Sequence, residues 1–241
     1  YVHFQSERQI GNFVLTAEHL NSKDSEGNVL LNNFEITIHP GEKVAFVGME
    51  HNSISSFFDI ISGTKKCEGA TVNWGQTTKQ TYMGRDNNDY FNNELTITDW
   101  LKQYSPDQDD AYVRGFLGRM LFTGDDSLKK VKVLSGGEKV RCMLSKMMLS
   151  GANVLILDDP TNHLDLESIE SLNEGLVKFP GVVLFSSHDH EFISTIANRI
   201  IEITPKGVID RMMPFDDYLK DEQVKALRKE YYAGTDKKIR F

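Results

Sequence analysis

Cysteine is nearly missing from this chain: its 241 residues hold only Cys67 and Cys142. Neither stands in a metal-ligand spacing, and two cysteines make no disulfide framework. The expectation is two reduced thiols in a cytoplasmic protein. No apolar run reaches the ~18–20 residues that a bilayer span needs, so the sequence predicts no membrane helix. The start, Tyr1-Val2-His3-Phe4, lacks a charged segment leading into an apolar core, and no signal peptide is expected. It also lacks a Met, which suggests a piece of a longer chain. An excess of basic residues is absent too, with 27 Lys and Arg against 35 Asp and Glu and a formal net charge of −8. The domain alone is therefore not expected to bind nucleic acid. There is no internal repeat and no low-complexity stretch. What remains is an ordinary balance, 39% hydrophobic and 26% charged, with length enough for a sizeable core.

Strands and helices alternate along the chain. Residues 13–38 read as strands, with Phe34, Ile36 and Ile38 alternating against Glu35 and Thr37 after a polar turn from Asn21 to Asn28. Val44-Ala45-Phe46-Val47, Val154-Leu155-Ile156-Leu157 and Val182-Val183-Leu184-Phe185 are short apolar runs, as buried parallel strands should be. They end at Gly48, at Asp158-Asp159 and at Ser186-Ser187-His188. A helical pattern starts at Ser55 and stops near Gly63. Another follows Asp109-Asp110 and carries Val113, Phe116, Leu117, Met120 and Leu121. A third is expected from about Gly136 to Leu149, closed by Gly151. This pattern predicts an α/β fold with a mostly parallel sheet, whose ligands sit beyond the carboxyl ends of the strands. Gly48, Asp158 and His188 all stand at those ends. The stretch from Asp216 to Phe241 is charged and reads as a partly mobile tail.

Three segments carry chemistry. In Leu134-Ser135-Gly136-Gly137-Glu138, two glycines let a phosphate approach the backbone, and helix N-terminal amides point at the anion. Ser135 adds a hydroxyl donor, although the same five residues alone also describe a capped helix start. Leu157-Asp158-Asp159-Pro160-Thr161-Asn162-His163-Leu164-Asp165 follows a buried strand. Asp158 fits a carboxylate that holds Mg2+ through water, and Asp159 stands where an acid would orient an attacking water. His188 ends the third run at the same sheet edge, where it can contact a γ-phosphate; a lone histidine is more often structural.

Together, LSGGE at 134–138, LDDPTNHLD at 157–165 and SSHDHEF at 186–192 resemble the signature, the Walker B and D-loop, and the histidine switch of ABC ATPases. The PTNHLD form resembles the ABC-F family, soluble duplicated ABC proteins that act on the ribosome. Val113 to Glu138 and SIESLNEGL at 168–176 look most like the second ABC domain of the YbiT-type branch. The resemblance implies a P-loop NTPase fold: a RecA-like parallel core, an antiparallel β subdomain and a small helical subdomain at about 96–150. It makes residues 1–9 the end of an interdomain linker, 10–215 the nucleotide-binding domain and 216–241 the tail. It implies ATP and Mg2+ as ligands. The assigned positions are Gly48, Ser55, Ser56, Ser135, Gly136 and Gly137 for nucleotide, and Ser55 and Asp158 for the metal. Asp159 and His188 are assigned to catalysis and Asp165 to the D-loop. The implied partners are the first ABC domain of the same chain and, for the full-length protein, the ribosome, with no membrane.

The sequence departs from the family's pattern on one side. Against the phosphate-binding pattern GxxGxGK[ST] it reads Gly48-Met49-Glu50-His51-Asn52-Ser53-Ile54-Ser55-Ser56. His51 and Ser53 replace glycines, and Ile54 replaces the lysine, a loss of roughly 1.5–3 kcal/mol of charge-assisted contact. No aromatic precedes Val29 to stack on adenine. Gly84-Arg85 follows Tyr82-Met83 where the family's Q-loop has glutamine, and Asp159 replaces the usual glutamate. Because ABC domains pair head to tail, these losses fall on this domain's own Walker side, while its signature serves the partner's ATP. The expectation is an asymmetric pair with one competent site, and an isolated domain that binds ATP weakly and hydrolyses little. Arg85 is the first candidate to stand in for the lysine. Two other classes fit less well: the ATPase subunit of a membrane transporter, and a non-hydrolysing scaffold domain.

Overall fold

The computed structural model describes residues 1–235. In it, β1 (Leu15–Lys23), β2 (Val29–Ile38) and β4 (Thr71–Trp74) form an antiparallel sheet in the order β2-β1-β4. A second sheet has the order β5-β6-β7-β3-β8-β9. Its strands are β3 (Lys43–Val47), β5 (Gln80–Met83), β6 (Val154–Asp158), β7 (Val182–Ser186), β8 (Arg199–Ile203) and β9 (Val208–Arg211). Every pairing in it is parallel except β8 with β9. Helix α1 (His51–Ile61) follows β3, and α2 (Ile97–Lys102), α3 (Asp110–Arg119) and α4 (Gly136–Leu149) lie between β5 and β6. Helix α5 (Leu166–Lys178) joins β6 to β7, α6 (His190–Ile196) joins β7 to β8, and α7 (Phe215–Lys220) and α8 (Glu222–Tyr231) follow β9. This is the expected architecture: a parallel core, an antiparallel sheet and a group of helices inserted before β6.

The apolar runs explain why the large sheet forms. Successive side chains of a strand point to opposite faces, and here both faces are covered. Val44, Phe46, Val154, Ile156, Val182 and Leu184 face α1 and the antiparallel sheet, with Ile54, Phe57 and Phe58 packed on them. Ala45, Val47, Leu155, Leu157, Val183 and Phe185 face the other helices and meet Met143, Leu172 and Phe192. Strands buried on both faces need continuous rather than alternating apolar residues. Parallel pairing then brings Gly48, Asp158 and His188 to one edge.

Five local expectations change. The hairpin turn is shorter than the polar stretch suggests, because β1 runs to Lys23 and only residues 24–28 turn, held by Asp24 Oδ1, which accepts from the Glu26 and Asn28 amides. Helix α1 starts at His51, one turn before the apolar pattern begins at Ser55. Helix α3 stops at Arg119, and Leu121 takes a left-handed φ of 64° instead of continuing it. The stretch read as a tail carries α7 and α8, which bury Phe215, Tyr218 and Val224 against the main core. Its charge hid a buried node: Glu202 on β8 accepts from Tyr218 (2.7 Å) and Tyr232 (2.6 Å) and pairs with Arg228 at 3.1 Å. Residues 236–241 of that expected tail lie outside the described residues. The segment read as linker also packs down, with Val2 and Phe4 buried and the Val2 amide donating to Ser171 Oγ at 2.9 Å.

Candidate functional site

The site is assembled at the end of β6. Asp158 is 1% exposed, and its carboxylate collects three donors. Ser55 Oγ donates to Oδ2 at 2.6 Å, Ser186 Oγ donates to Oδ1 at 2.9 Å, and His51 Nε2 lies 2.7 Å from Oδ1. Residues four apart share one face of a helix, so starting α1 at His51 aims both His51 and Ser55 at the same carboxylate. Burial pushes the Asp158 pKa up, but the bonds from His51, Ser55 and Ser186 outweigh that and hold it below the ordinary value. His188 is exposed, with its ring centroid 5.5 Å from that of His51.

Asp159 follows in a left-handed conformation, φ 51°, which few non-glycine residues adopt. Its amide donates to Ser186 Oγ at 2.9 Å. Its Oδ2 is buried without a hydrogen bond and lies 4.0 Å from Arg85 Nε. The two observations agree: the guanidinium is near enough to balance the charge and too far to donate. Gly48 is required here for packing, since a Cβ would sit 2.4 Å from the Ile203 carbonyl oxygen at φ 153°. Ile54, at the lysine position, is 2% exposed and belongs to the core beneath α1. Ser56 is turned away from Asp158: its hydroxyl meets Ser22 Oγ at 2.5 Å and Lys65 Nζ at 3.2 Å. A cavity of about 1000 Å3 opens between the β1–β2 hairpin, Met49–Glu50 and the β8–β9 turn. It includes none of Asp158, Asp159 and His188, so the chemistry at the end of β6 lies outside it.

The second part of the site is the start of α4. Ser135 caps the helix, its Oγ accepting from the Glu138 amide at 3.2 Å while its own amide donates to Glu138 Oε2 at 2.8 Å. The Ser135 amide, with Lys129 beside it, holds the Glu138 carboxyl below its usual range. Ser135 and Gly136 are exposed. Gly137 has no room for a side chain, since a Cβ would lie 2.7 Å from the His163 carbonyl oxygen, and the His163 ring packs 3.3 Å from a Cβ on Gly136. The loop after Asp159 therefore braces the glycines. Asp165 closes that loop by capping α5, accepting from the Ser168 amide at 2.8 Å.

The sequence-predicted residues thus fall into two groups. Ser55, Asp158, Asp159 and His188 gather at the sheet edge, and Ser135, Gly136 and Gly137 open α4. Sequence reasoning missed His51, Ser186 and His163 as members. Only His51 left a usable signal, its i,i+4 spacing from Ser55, and that counts only if the helix starts early. Among the described residues, no group of three or more His, Cys, Asp or Glu side chains is arranged to hold a metal ion.

The ABC transporter family model matches residues 31–162, over half of the chain, from β2 through the loop after Asp159. The chain belongs to the ABC transporter family. As an ABC ATP-binding domain it is 53% identical over 235 residues to an uncharacterized ABC transporter ATP-binding protein, YkpA of Bacillus subtilis, covering 97% of this chain and 43% of that one. It is 39% identical over 225 residues to YbiT, a probable ATP-binding protein of Escherichia coli O157:H7, covering 93% and 42%. It is 30% identical over 205 residues to EttA of Escherichia coli K12, an energy-dependent translational throttle protein, covering 84% and 37%. The chain therefore spans less than half the length of these curated relatives. Among solved structures, CbiO1 of Clostridium perfringens, part of an ABC transporter complex, superposes with a TM-score of 0.63 at 17% identity. That superposition covers 91% of this chain and 95% of that one, and supports the ABC fold alone. No helix among the described residues is long and apolar enough to cross a membrane.

Proposed function

We propose that this chain is the second nucleotide-binding domain of an ABC-F-type ATPase that acts in translation on the ribosome. In this reading its own Walker site is degenerate, and its signature completes the ATP site of the first ABC domain of the same chain. The observation that carries the proposal is an asymmetry. The start of α4 is a regular helix N-terminus whose Ser135 and Gly136 face outward, ready for an anion. The opposite side has helix where a phosphate loop belongs, an apolar Ile54 in place of lysine, and a carboxylate already engaged by His51. A partner site would use Ser135 Oγ and the amides of Gly136 and Gly137 to stabilise charge on the γ-phosphate, with ATP and Mg2+ held by the first domain. Similarity to a translational throttle protein supports the ribosome as the setting. The span of less than half of each relative fits one domain of two. In isolation the domain binds ATP weakly and turns it over little, and the full-length protein is cytoplasmic.

The test compares two variants of the full-length protein, each first shown to fold. Ser135→Arg puts a bulky cation against the partner's γ-phosphate and should lower steady-state ATPase at least about tenfold, the scale of one lost charge-assisted contact. Asp158→Asn touches only the local site and should leave most of the rate. Equal and severe loss in both would sink the asymmetric reading. Co-sedimentation with ribosomes separates a translation factor from a transporter subunit.

A further inference from the structure

A bound Mg2+ needs free carboxylate or hydroxyl oxygens and room for the waters it retains. The residues here do not fit that group. Oδ1 of Asp158 is engaged by His51 and Ser186, and Oδ2 by Ser55. The His51 side chain, 12% exposed, stands on the Asp158 carboxylate at 2.7 Å. Only Met49 and Glu50 separate Gly48 from the first residue of α1, so the backbone that would wrap a phosphate is already helix. The neighbouring carboxylate, Asp159, has Arg85 as its cation.

We infer that the local Walker pocket is filled from within, with His51 acting as the resident counter-ligand of Asp158 in place of a divalent cation. The inference rests on the degenerate-site reading above and sharpens it. The pocket is a closed node whose ligand is part of the chain. His51 is a positioning residue, because it holds the end of β6 and the first turn of α1 together. Its removal has a consequence that ordinary loss of a hydrogen bond does not: Asp158 and Ser55 become a pair of oxygen ligands with a water-sized opening beside them, a donor set that suits Mg2+ or Mn2+ with several retained waters.

The experiment is thermal melting of the 241-residue chain in chelator and in excess Mg2+ or Mn2+, without nucleotide. The unaltered chain should melt at the same temperature in all three. His51→Ala should melt at least about 2–4 °C lower in chelator, and either metal should recover most of that loss. His51→Gln keeps a donor on Asp158 and should stay blind to metal. The double variant His51→Ala, Asp158→Asn should show no metal response. If His51→Ala does not fold in chelator, folding rescued by Mn2+ carries the same meaning. Two results overturn the inference: metal stabilising the unaltered chain as much as His51→Ala, or His51→Ala losing stability with no metal recovery. Neither touches the signature, so the ATPase comparison of Ser135→Arg with Asp158→Asn stands or falls separately.

Discussion

Asp159 concentrates the tension of the site in one residue. A left-handed backbone costs a side-chain-bearing residue roughly 1–2 kcal/mol, and this one also buries a carboxylate oxygen that no donor reaches. The compensation visible in the structure is the bond from its amide to Ser186 and the Arg85 guanidinium at 4.0 Å. Arg85 is about half exposed, which places the pair between a surface and a buried ion pair. Arg85→Ala should therefore destabilise the chain by about 1 kcal/mol, more than an isolated surface pair and less than a fully buried one. Urea denaturation measures it, and an unchanged midpoint would mean that Arg85 does not balance Asp159. The residue types at this edge were legible from the three strand ends, since Gly48, Asp158 and His188 close apolar runs. The contacts were not. That Ser56 turns to Ser22 and Lys65, or that His51 lands on Asp158, depends on the rotation of α1, which no single residue specifies.

At the scale of elements, the helices with regular caps were the easiest to place. Ser135 with Glu138 three residues on marks the start of α4, and the expected span from Gly136 to Leu149 matches the structure. Helix α1 shows the opposite case. Its first turn is polar and the side chain of Glu50, at the N-cap position, does not bond to the helix amides as a cap would, so neither periodicity nor capping announces it. The turn before the signature is held by charge. Glu94 receives Lys130 at 2.9 Å and Lys132 at 2.5 Å, beside the bridge between Thr96 and Lys130. The hydrogen bonds from Lys132 and Lys130 lower the Glu94 pKa from 4.5 to about 2. A carboxylate depressed on folding contributes stability above its unfolded pKa and loses that contribution as pH falls through its folded value. The contribution from Glu94 should thus be complete above the ordinary value of 4.5 and fade toward about 2. A carboxyl NMR titration checks this, and Glu94 titrating at its ordinary value would show that the lysines do not hold it in solution.

The whole molecule was legible as a topology more than as an outline. Apolar runs buried on both faces, each followed by a helix, identify a parallel sheet, and they also identify its functional edge. Composition misled at the two ends, where short apolar anchors sit among polar neighbours. Val2 and Phe4 on one side, and Tyr218, Val224 and Tyr232 on the other, are too few to form a periodic signal. The C-terminal helices hold on through Glu202. Tyr232→Phe removes one of its donors and should cost about 1–3 kcal/mol, the penalty for leaving a buried acceptor short of a partner. Hydrogen exchange should show α7 and α8 losing protection first, and unchanged protection would show that the hydroxyl does not anchor them. The same node sets an order on synthesis. Glu202 leaves the ribosome before Tyr218, Arg228 and Tyr232, because all three lie after it in the chain. A nascent chain that has closed the sheet only through β8 would bury a carboxylate with none of these donors yet made. Completion of this core thus waits for roughly thirty residues after Glu202 to emerge, on the order of a few seconds at ordinary elongation rates.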